Sequence, residues 1–166
     1  MSNYLIFIFA IFLLSCQSKK ETINIHGDLY YSWLRIGSFY GYPDSLYNKF
    51  VKERDSLGYE VLFQEDSGFV KILKILDDND LLKNPMIHVK LDNNEVVWIY
   101  LDTLDYKQFT KFDHKKLVDN NQKVRIEAKT IHLYDNLYRC EELISVNKIE
   151  GVTLQKQKKF KIENYH

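Results

Sequence analysis

The residues best suited to do chemistry in this chain are its five histidines, its acidic runs and its two cysteines. The histidines are scattered singly, without the close histidine or cysteine pairs of zinc sites. The run from Asp77 to Asp80 begins like a calcium loop but lacks the Gly and Glu that such a loop requires further on. We interpret it as a solvated acidic loop, and the sequence predicts no metal site and no cofactor.

Local motifs for nucleophilic catalysis are also missing from the sequence. Ser38 follows Gly37 directly, so the segment up to Gly41 does not match a nucleophile elbow, in which the serine lies midway between two glycines. The thiol of Cys140 has Arg139 beside it, but an extended strand places neighbours on opposite faces. Cys140 is predicted to be a small buried hydrophobe. No catalytic residue is predicted from local spacing.

Cys16 stands where an apolar run ends and a polar run begins. The uncharged run from Tyr4 to Leu14 is about half of the roughly 20 residues that a spanning helix needs. It fits the apolar core of a secretory signal peptide, which has roughly 7–15 residues. The polar run from Gln17 to Glu21 follows at once. The sequence therefore predicts a cleaved leader and not a membrane-spanning helix.

The four residues Leu13-Leu14-Ser15-Cys16 resemble the lipobox of bacterial lipoproteins. This resemblance implies cleavage before Cys16, a diacylglyceryl thioether on its sulfur, and acylation of its amine by a fatty acid such as palmitate. Two or three acyl chains would hold the protein at the membrane, since each buried methylene contributes about 0.8 kcal/mol. In such lipoproteins an Asp after the lipidated Cys signals retention in the inner membrane. Here Gln17 follows Cys16, so the resemblance favours an outer-membrane location. The implied location is the bacterial cell envelope.

Composition limits the remaining possibilities. The chain has 166 residues, with Lys and Arg together equal to Asp and Glu at 23 each, so no net field favours nucleic acid as a partner. Its length fits one domain. We predict a signal peptide at 1–15, a lipidated tether at 16–22, and a single globular domain at 23–166 with a basic C-terminal end. With Cys16 acylated, Cys140 has no partner for an intrachain disulfide.

Hydrophobic periodicity predicts an α+β fold. Alternating apolar residues separated by turn residues indicate hairpins, and apolar residues three and four apart indicate helices. We expect an antiparallel sheet or a small half-open barrel, for which an oligonucleotide/oligosaccharide-binding barrel is one candidate. The hairpins are expected at about 23–42, 86–101 and 123–149, and two helices at about 44–57 and 68–77. Weaker helical fragments are expected at 106–109 and 114–118, and a short strand is one interpretation of 59–64.

The last hairpin shows one irregularity. Alternation blurs near Thr130, and Glu142 falls on the same face as the apolar residues Cys140, Ile144 and Val146. A buried carboxylate without a partner is costly. We therefore predict a β-bulge that moves Glu142 off the apolar face.

Aromatic residues are dense in the first segment. Trp33, Tyr40 and Tyr42 are candidate ligand-binding residues that could form the floor of a groove for a sugar or a peptide. Packing in the core is the alternative role for the same side chains, because large aromatic residues bury most of their area in folded domains. The sequence leaves both open.

Three functions follow from these features. The leading hypothesis is a non-enzymatic, envelope-anchored module for binding or protein interaction. Its partner would be another envelope protein, for example a toxin that the module neutralises. The first alternative is a module that binds a glycan or a small ligand. The second is an enzyme whose site residues come from distant parts of the chain.

Overall fold

The protein is a ring of five strands with helices packed against it. The computed structural model describes residues 21–31, 38–62 and 67–151. The predicted α+β class is confirmed, and both weakly predicted helical fragments are helices. In chain order the elements are β1 (Thr22–Tyr30), α1 (Asp44–Leu57), α2 (Tyr59–Leu62), α3 (Ser67–Asp78), β2 (Met86–Leu91), β3 (Val96–Tyr100), α4 (Thr103–Thr110), α5 (His114–Asp119), β4 (Gln122–Tyr134) and β5 (Leu137–Glu150).

The strands follow the order β1-β2-β3-β5-β4, and β4 pairs back with β1 to close the ring. The predicted hairpins β2–β3 and β4–β5 are confirmed, and their turns contain Asn94 and Asp135 at positive φ. The pair β3–β5 is parallel, so the sheet is mixed. Oligonucleotide/oligosaccharide-binding barrels are five-stranded rings with Greek-key connections. The ring has the same number of strands as that candidate.

Of the hairpin predicted at 23–42, the described residues 23–31 and 38–42 contain one strand. β1 ends at Tyr30, and residues 38–43 contain a turn at Tyr40 and Gly41 but no strand. β1 is hydrogen-bonded on one side to β2 and on the other to β4. The partner β2 pairs with Gly27 to Tyr30 and the partner β4 with Thr22 to Asp28, so the described partners of β1 are distant in sequence.

The inside of the ring is the first of two apolar cores. Along β3, Val97 and Ile99 point into this core, while Trp98 and Tyr100 point outward into the second one. β3 is thus a strand with apolar side chains on both of its faces. Helices α4 and α5 contribute to the inner core as well. Its buried residues are Ile25, Leu29, Ile87, Val89, Val97, Ile99, Leu101, Phe109, Leu117, Val124 and Ile126.

The second core lies between the ring and the helices α1, α2 and α3, which we call the helical insertion because they follow β1 and precede β2. Residues 59–62 form a helical turn here, so a strand in this position is wrong. The insertion packs against the outer sides of Trp98, Tyr100 and Leu137. The buried residues of this core are Phe50, Tyr59, Val70, Leu73, Leu76, Leu81, Leu82, Tyr100 and Leu137.

The β4–β5 hairpin contains the predicted bulge. The pairing register shifts between Lys129 and Thr130. Glu142 lies opposite Lys129 and is exposed, as the bulge hypothesis requires. Leu143 packs against the inner core in place of Ile144, which is exposed. One extra residue on β5 thus exchanges the faces of Glu142 and Leu143, and a second register shift, between Glu127 and Ala128, returns Val146 to the inner core.

Candidate functional site

The structure describes two of the four residues that the sequence singles out. Cys16 and Trp33 lie outside the described residues. Tyr40 and Tyr42 lie on the turn that leads from the ring into the helical insertion. These two tyrosines line different depressions, so they do not share one binding platform.

Hydrogen bonds within the turn and to the loop before β2 hold the turn in place. The Ser38 hydroxyl donates to the backbone oxygen of Asn84 at 2.6 Å and accepts from the Tyr40 amide at 3.1 Å. The Phe39 amide donates to the Leu82 oxygen at 2.6 Å. Gly41 has a φ of 80°, a conformation that glycine adopts without strain. The aromatic side chains of the turn are thus held in place by backbone bonds to the loop before β2.

Tyr42 lines the larger depression, an apolar groove of about 330 Å³ in the helical insertion. We call it the insertion groove. Tyr42 is 53% exposed and Leu46 is 48% exposed, so both lie at its mouth, while Leu73 is only 2% exposed and lies at its base. The described residues that line it come from the turn, α1 and α3: Ser38, Phe39, Tyr42, Leu46, Phe50, Phe69 and Leu73.

Aromatic rings behind the groove pack against one another. Phe39 lies 4.8 Å from Phe50 and 5.5 Å from Tyr47, measured between ring centroids, and Phe50 lies 6.1 Å from Tyr59. Tilted and edge-on ring pairs at these distances are favourable and restrict side-chain motion. These contacts hold the Phe39 and Phe50 rings in the wall of the insertion groove.

A charged pair lies beside this ring cluster. The Lys83 amine is 2.6 Å from the Asp44 carboxylate and 5.2 Å from the centre of the Tyr47 ring. The hydrogen bond and attraction between them lower the pKa of Asp44 and raise that of Lys83. Both side chains are exposed, so the pair contributes little to stability. The charges of Asp44 and Lys83, near the start of α1, are thus paired with each other, and neither residue belongs to the groove lining.

Tyr40 lines a much smaller depression on the ring side of the turn. Its ring meets Tyr106 edge-on with centroids 5.2 Å apart, and Ser38 and Met86 complete the lining. The cavity measures about 20 Å³, enough for one water molecule. Tyr40 therefore helps to attach the turn to α4, and its depression is too small for a ligand such as a sugar.

A partly buried ion pair holds the helical insertion together. Arg54 of α1 donates twice to the Asp77 carboxylate of α3, at 2.6 and 2.7 Å, and the Tyr59 hydroxyl donates to the same carboxylate at 2.8 Å. Burial and this carboxylate raise the pKa of Tyr59 to about 12, so its hydroxyl remains a donor at neutral pH. Asp77 thus belongs to a structural contact between α1, α2 and α3.

Two further groups with potential chemistry, Cys140 and His88, pack into the fold. Cys140 packs against the inner core, and burial raises the pKa of its thiol to about 12, which makes it a poor nucleophile. His88 is buried edge-on against Trp98, and burial lowers its pKa to about 4. Within residues 21–31, 38–62 and 67–151, no cluster of His, Cys, Asp or Glu is arranged to hold a metal ion.

Most residues of the insertion groove are not identified from the sequence. Leu46, Phe50, Phe69 and Leu73 follow ordinary apolar spacing on two helices, which predicts packing in a core. Only the way α1, α3 and the turn meet leaves a gap among them. Tyr42 is the one candidate residue from the sequence that the structure places at the groove.

Comparisons with known proteins do not add to this description. No family model matches the chain, and neither a curated protein nor a solved structure matches it. In the part of the chain that the structure describes, no helix has the length and apolar character to cross a membrane. The fold and the groove are therefore the basis for the function proposed below.

Proposed function

We propose that this protein is a lipid-anchored binding module of a bacterial cell envelope, without enzymatic activity, and that it binds through the insertion groove. The observation that carries the proposal is a concave apolar site of about 330 Å³ with two half-exposed apolar side chains at its mouth. Volumes from about 300 to 1,000 Å³ with mostly apolar and aromatic walls are typical of ligand sites.

The anchor supports a location close to the membrane surface. Only the five residues from Gln17 to Glu21 lie between Cys16 and the first residue of β1, Thr22. Fully extended, this stretch spans roughly 20 Å, because each residue adds at most about 3.6 Å. A thioether on Cys16 would thus keep the folded domain near the lipid headgroups, where it meets other envelope components.

The position of the helical insertion supports binding outside the usual face of such rings. Oligonucleotide/oligosaccharide-binding barrels recognise ligands on the face of strands 2 and 3. Here the outward side chains of Met86, Trp98 and Tyr100 on β2 and β3 pack beneath the insertion. This part of the face is covered by the protein's own helices, whereas the insertion groove opens to solvent between the half-exposed residues Tyr42 and Leu46.

Labelling and fractionation test the anchor. Cells producing the wild-type protein are fed labelled palmitate, and the membrane and soluble fractions are compared with those of Cys16→Ser. We expect the label and membrane association in the wild type and neither in the variant. Cys140→Ala is the matched control and should behave as the wild type. A labelled or membrane-bound Cys16→Ser protein contradicts the proposal.

Binding of a glycan is the second candidate function, and the exposed ring of Tyr42 favours it, since sugars stack on exposed aromatic rings. The test is intrinsic fluorescence of the mature chain titrated with cell-wall fragments and sugars. A saturable change that Tyr42→Ala abolishes supports this function. A fluorescence signal that stays flat with every sugar removes it.

A further inference from the structure

We infer that the insertion groove binds a neutral aromatic small molecule of about two rings. This inference rests on the proposed binding function and adds the chemical class of the ligand. It is carried by the size of the groove, by the chemistry of its lining and by the bonds that hold its wall in place.

The volume of the groove sets the size of the ligand. An apolar cavity of about 150 Å³ lined by aliphatic and aromatic side chains stays dry and binds benzene. The insertion groove has about 330 Å³, roughly twice that space. It therefore matches two fused rings, with one edge of the ligand left in water between Tyr42 and Leu46.

The described residues of the lining carry no charge. None of the seven described lining residues is charged, and Phe39, Tyr42, Phe50 and Phe69 supply aromatic surface. A buried charge without a partner is strongly unfavourable, so an ionised ligand would lose hydration without gaining a counter-ion. Flat aromatic ligands gain most here, because offset and edge-on contacts with these rings add to the free energy of apolar burial.

Hydrogen-bonding capacity distinguishes an aromatic ligand from a sugar. The Ser38 hydroxyl already donates to the Asn84 oxygen and accepts from the Tyr40 amide. Among the described lining residues, the other polar side chain is Tyr42, at the mouth. A monosaccharide in the groove would bury several hydroxyls without partners, at a cost of about 1–3 kcal/mol each. An aromatic hydrocarbon ring or a phenol avoids this cost.

The test uses the mature chain, residues 16–166, with Cys16→Ser so that no acyl chain is added. The ¹⁵N-labelled protein is titrated with 2-naphthol, and with N-acetylglucosamine in a parallel arm, while amide chemical shifts are recorded. We expect saturable shifts with 2-naphthol at the amides of Gly41, Tyr42 and Leu73. A Kd of about 1 mM or lower is expected for a ligand of this size. N-acetylglucosamine should cause no saturable shift there.

Two substitutions on α1 form a matched pair. Leu46 and Leu57 are exposed to similar extents, 48% and 52%, but only Leu46 lines the groove. Leu46→Gln should weaken 2-naphthol binding about fivefold, since it removes apolar contact at the mouth. Leu57→Gln should leave the Kd unchanged. Both positions lie on the protein surface, and the dispersion of the amide spectrum verifies that each variant is folded.

The inference is overturned by the lack of a saturable shift with 2-naphthol, by shifts centred away from the groove, or by equal losses for Leu46→Gln and Leu57→Gln. A saturable response to N-acetylglucosamine at the same amides also overturns it, in favour of a sugar site. These failures leave palmitate labelling of Cys16 untouched. Loss of the anchor with intact 2-naphthol binding contradicts the envelope location and leaves the ligand class standing.

Discussion

The outer face of β1 and β4 and the surface of the helical insertion expose different chemistry. On the strands, the Asp28 carboxylate accepts from Lys123 at 2.8 Å and from Arg125 at 3.2 Å, and Arg125 also donates to Asp92 at 2.8 Å. These charges satisfy one another. On the insertion, Tyr42 and Leu46 are about half exposed beside an apolar groove.

This difference determines which surface gains free energy when it is covered. Covering the paired charges would remove their hydration, a penalty that new contacts seldom exceed. Covering apolar surface is favourable by about 25 cal/mol for each Å² removed from water. The strand ring is therefore suited to act as a scaffold, and the insertion is suited to bind. Predictions that separate the two regions follow, from the largest expected effect to the smallest.

Gly27 is the position where the ring should be least tolerant. β1 and β2 approach so closely that a Cβ atom on Gly27 would lie 2.5 Å from both the Lys90 oxygen and a methyl carbon of Val89. Gly27→Ala should lower the free energy of unfolding by about 3 kcal/mol, because backbone has to move to relieve the overlap. Urea unfolding measures the loss.

Asn24→Ala is the control for this substitution, since Asn24 is exposed on the same strand. It should change the free energy of unfolding by less than about 0.5 kcal/mol. A Gly27→Ala protein as stable as Asn24→Ala would show that the ring is not the rigid scaffold that the comparison requires.

His88 lies at the junction of the two regions, because its ring meets Trp98, which packs beneath the helical insertion. Its folded-state pKa of about 4 is below the unfolded value of about 6.5. The folded protein therefore binds this proton less tightly than the unfolded chain. Neutral His88 therefore leaves the folded state at its full stability above pH 6.5, and the free energy of unfolding decreases as the pH falls toward 4. The decrease is about 2 kcal/mol between pH 7 and 5.

Urea unfolding curves recorded from pH 7 to pH 5 measure this loss. His88→Gln should remove about 2 kcal/mol of the pH dependence, whatever its stability at pH 7. If the wild type and His88→Gln show parallel curves, protonation of His88 does not weaken the junction.

Asp77→Asn tests the insertion alone. The substitution keeps the shape of the side chain but removes the charge that receives the bonds from Arg54 and Tyr59. Because the pair is partly exposed, we expect a loss of about 1 to 2 kcal/mol. Hydrogen exchange should accelerate in α1 and α3 and stay unchanged in the ring. Asp78→Asn, at the exposed neighbouring position, should have little effect.

If the ring amides of Asp77→Asn lose protection as much as those of α1 and α3, the insertion and the ring unfold as one unit. The contrast between scaffold and binding region would then concern surface chemistry alone and not local stability.

The parts of the fold that could be predicted are those built from local patterns. The hairpins at 86–101 and 123–149 combine alternating apolar residues with Asn or Asp at the turn, and α1 combines helical spacing with Pro43 and Gly58 at its ends. The bulge was predictable because Glu142 broke the alternation. These signals arise from neighbours within a few residues, and a sequence displays them directly.

The closure of the ring and the groove could not be predicted in this way. The pairing of β1 with β4 joins residues about a hundred positions apart, such as Gly27 and Ile126, and local periodicity does not specify such partners. The groove depends on Leu46 of α1 and Phe69 of α3 failing to meet completely. Apolar spacing looks the same whether two helices pack tightly or leave a gap.

The smallest effect on stability is expected at the mouth of the groove. Leu46→Gln should change the free energy of unfolding by less than about 0.5 kcal/mol, since the side chain is already half in water. Leu73→Ala, at the buried base of the same groove, should cost about 2 to 4 kcal/mol. Urea unfolding of both variants measures the difference. If Leu46→Gln lowers the free energy of unfolding as much as Leu73→Ala, Leu46 is part of the core. The mouth of the groove then offers no apolar surface to a ligand.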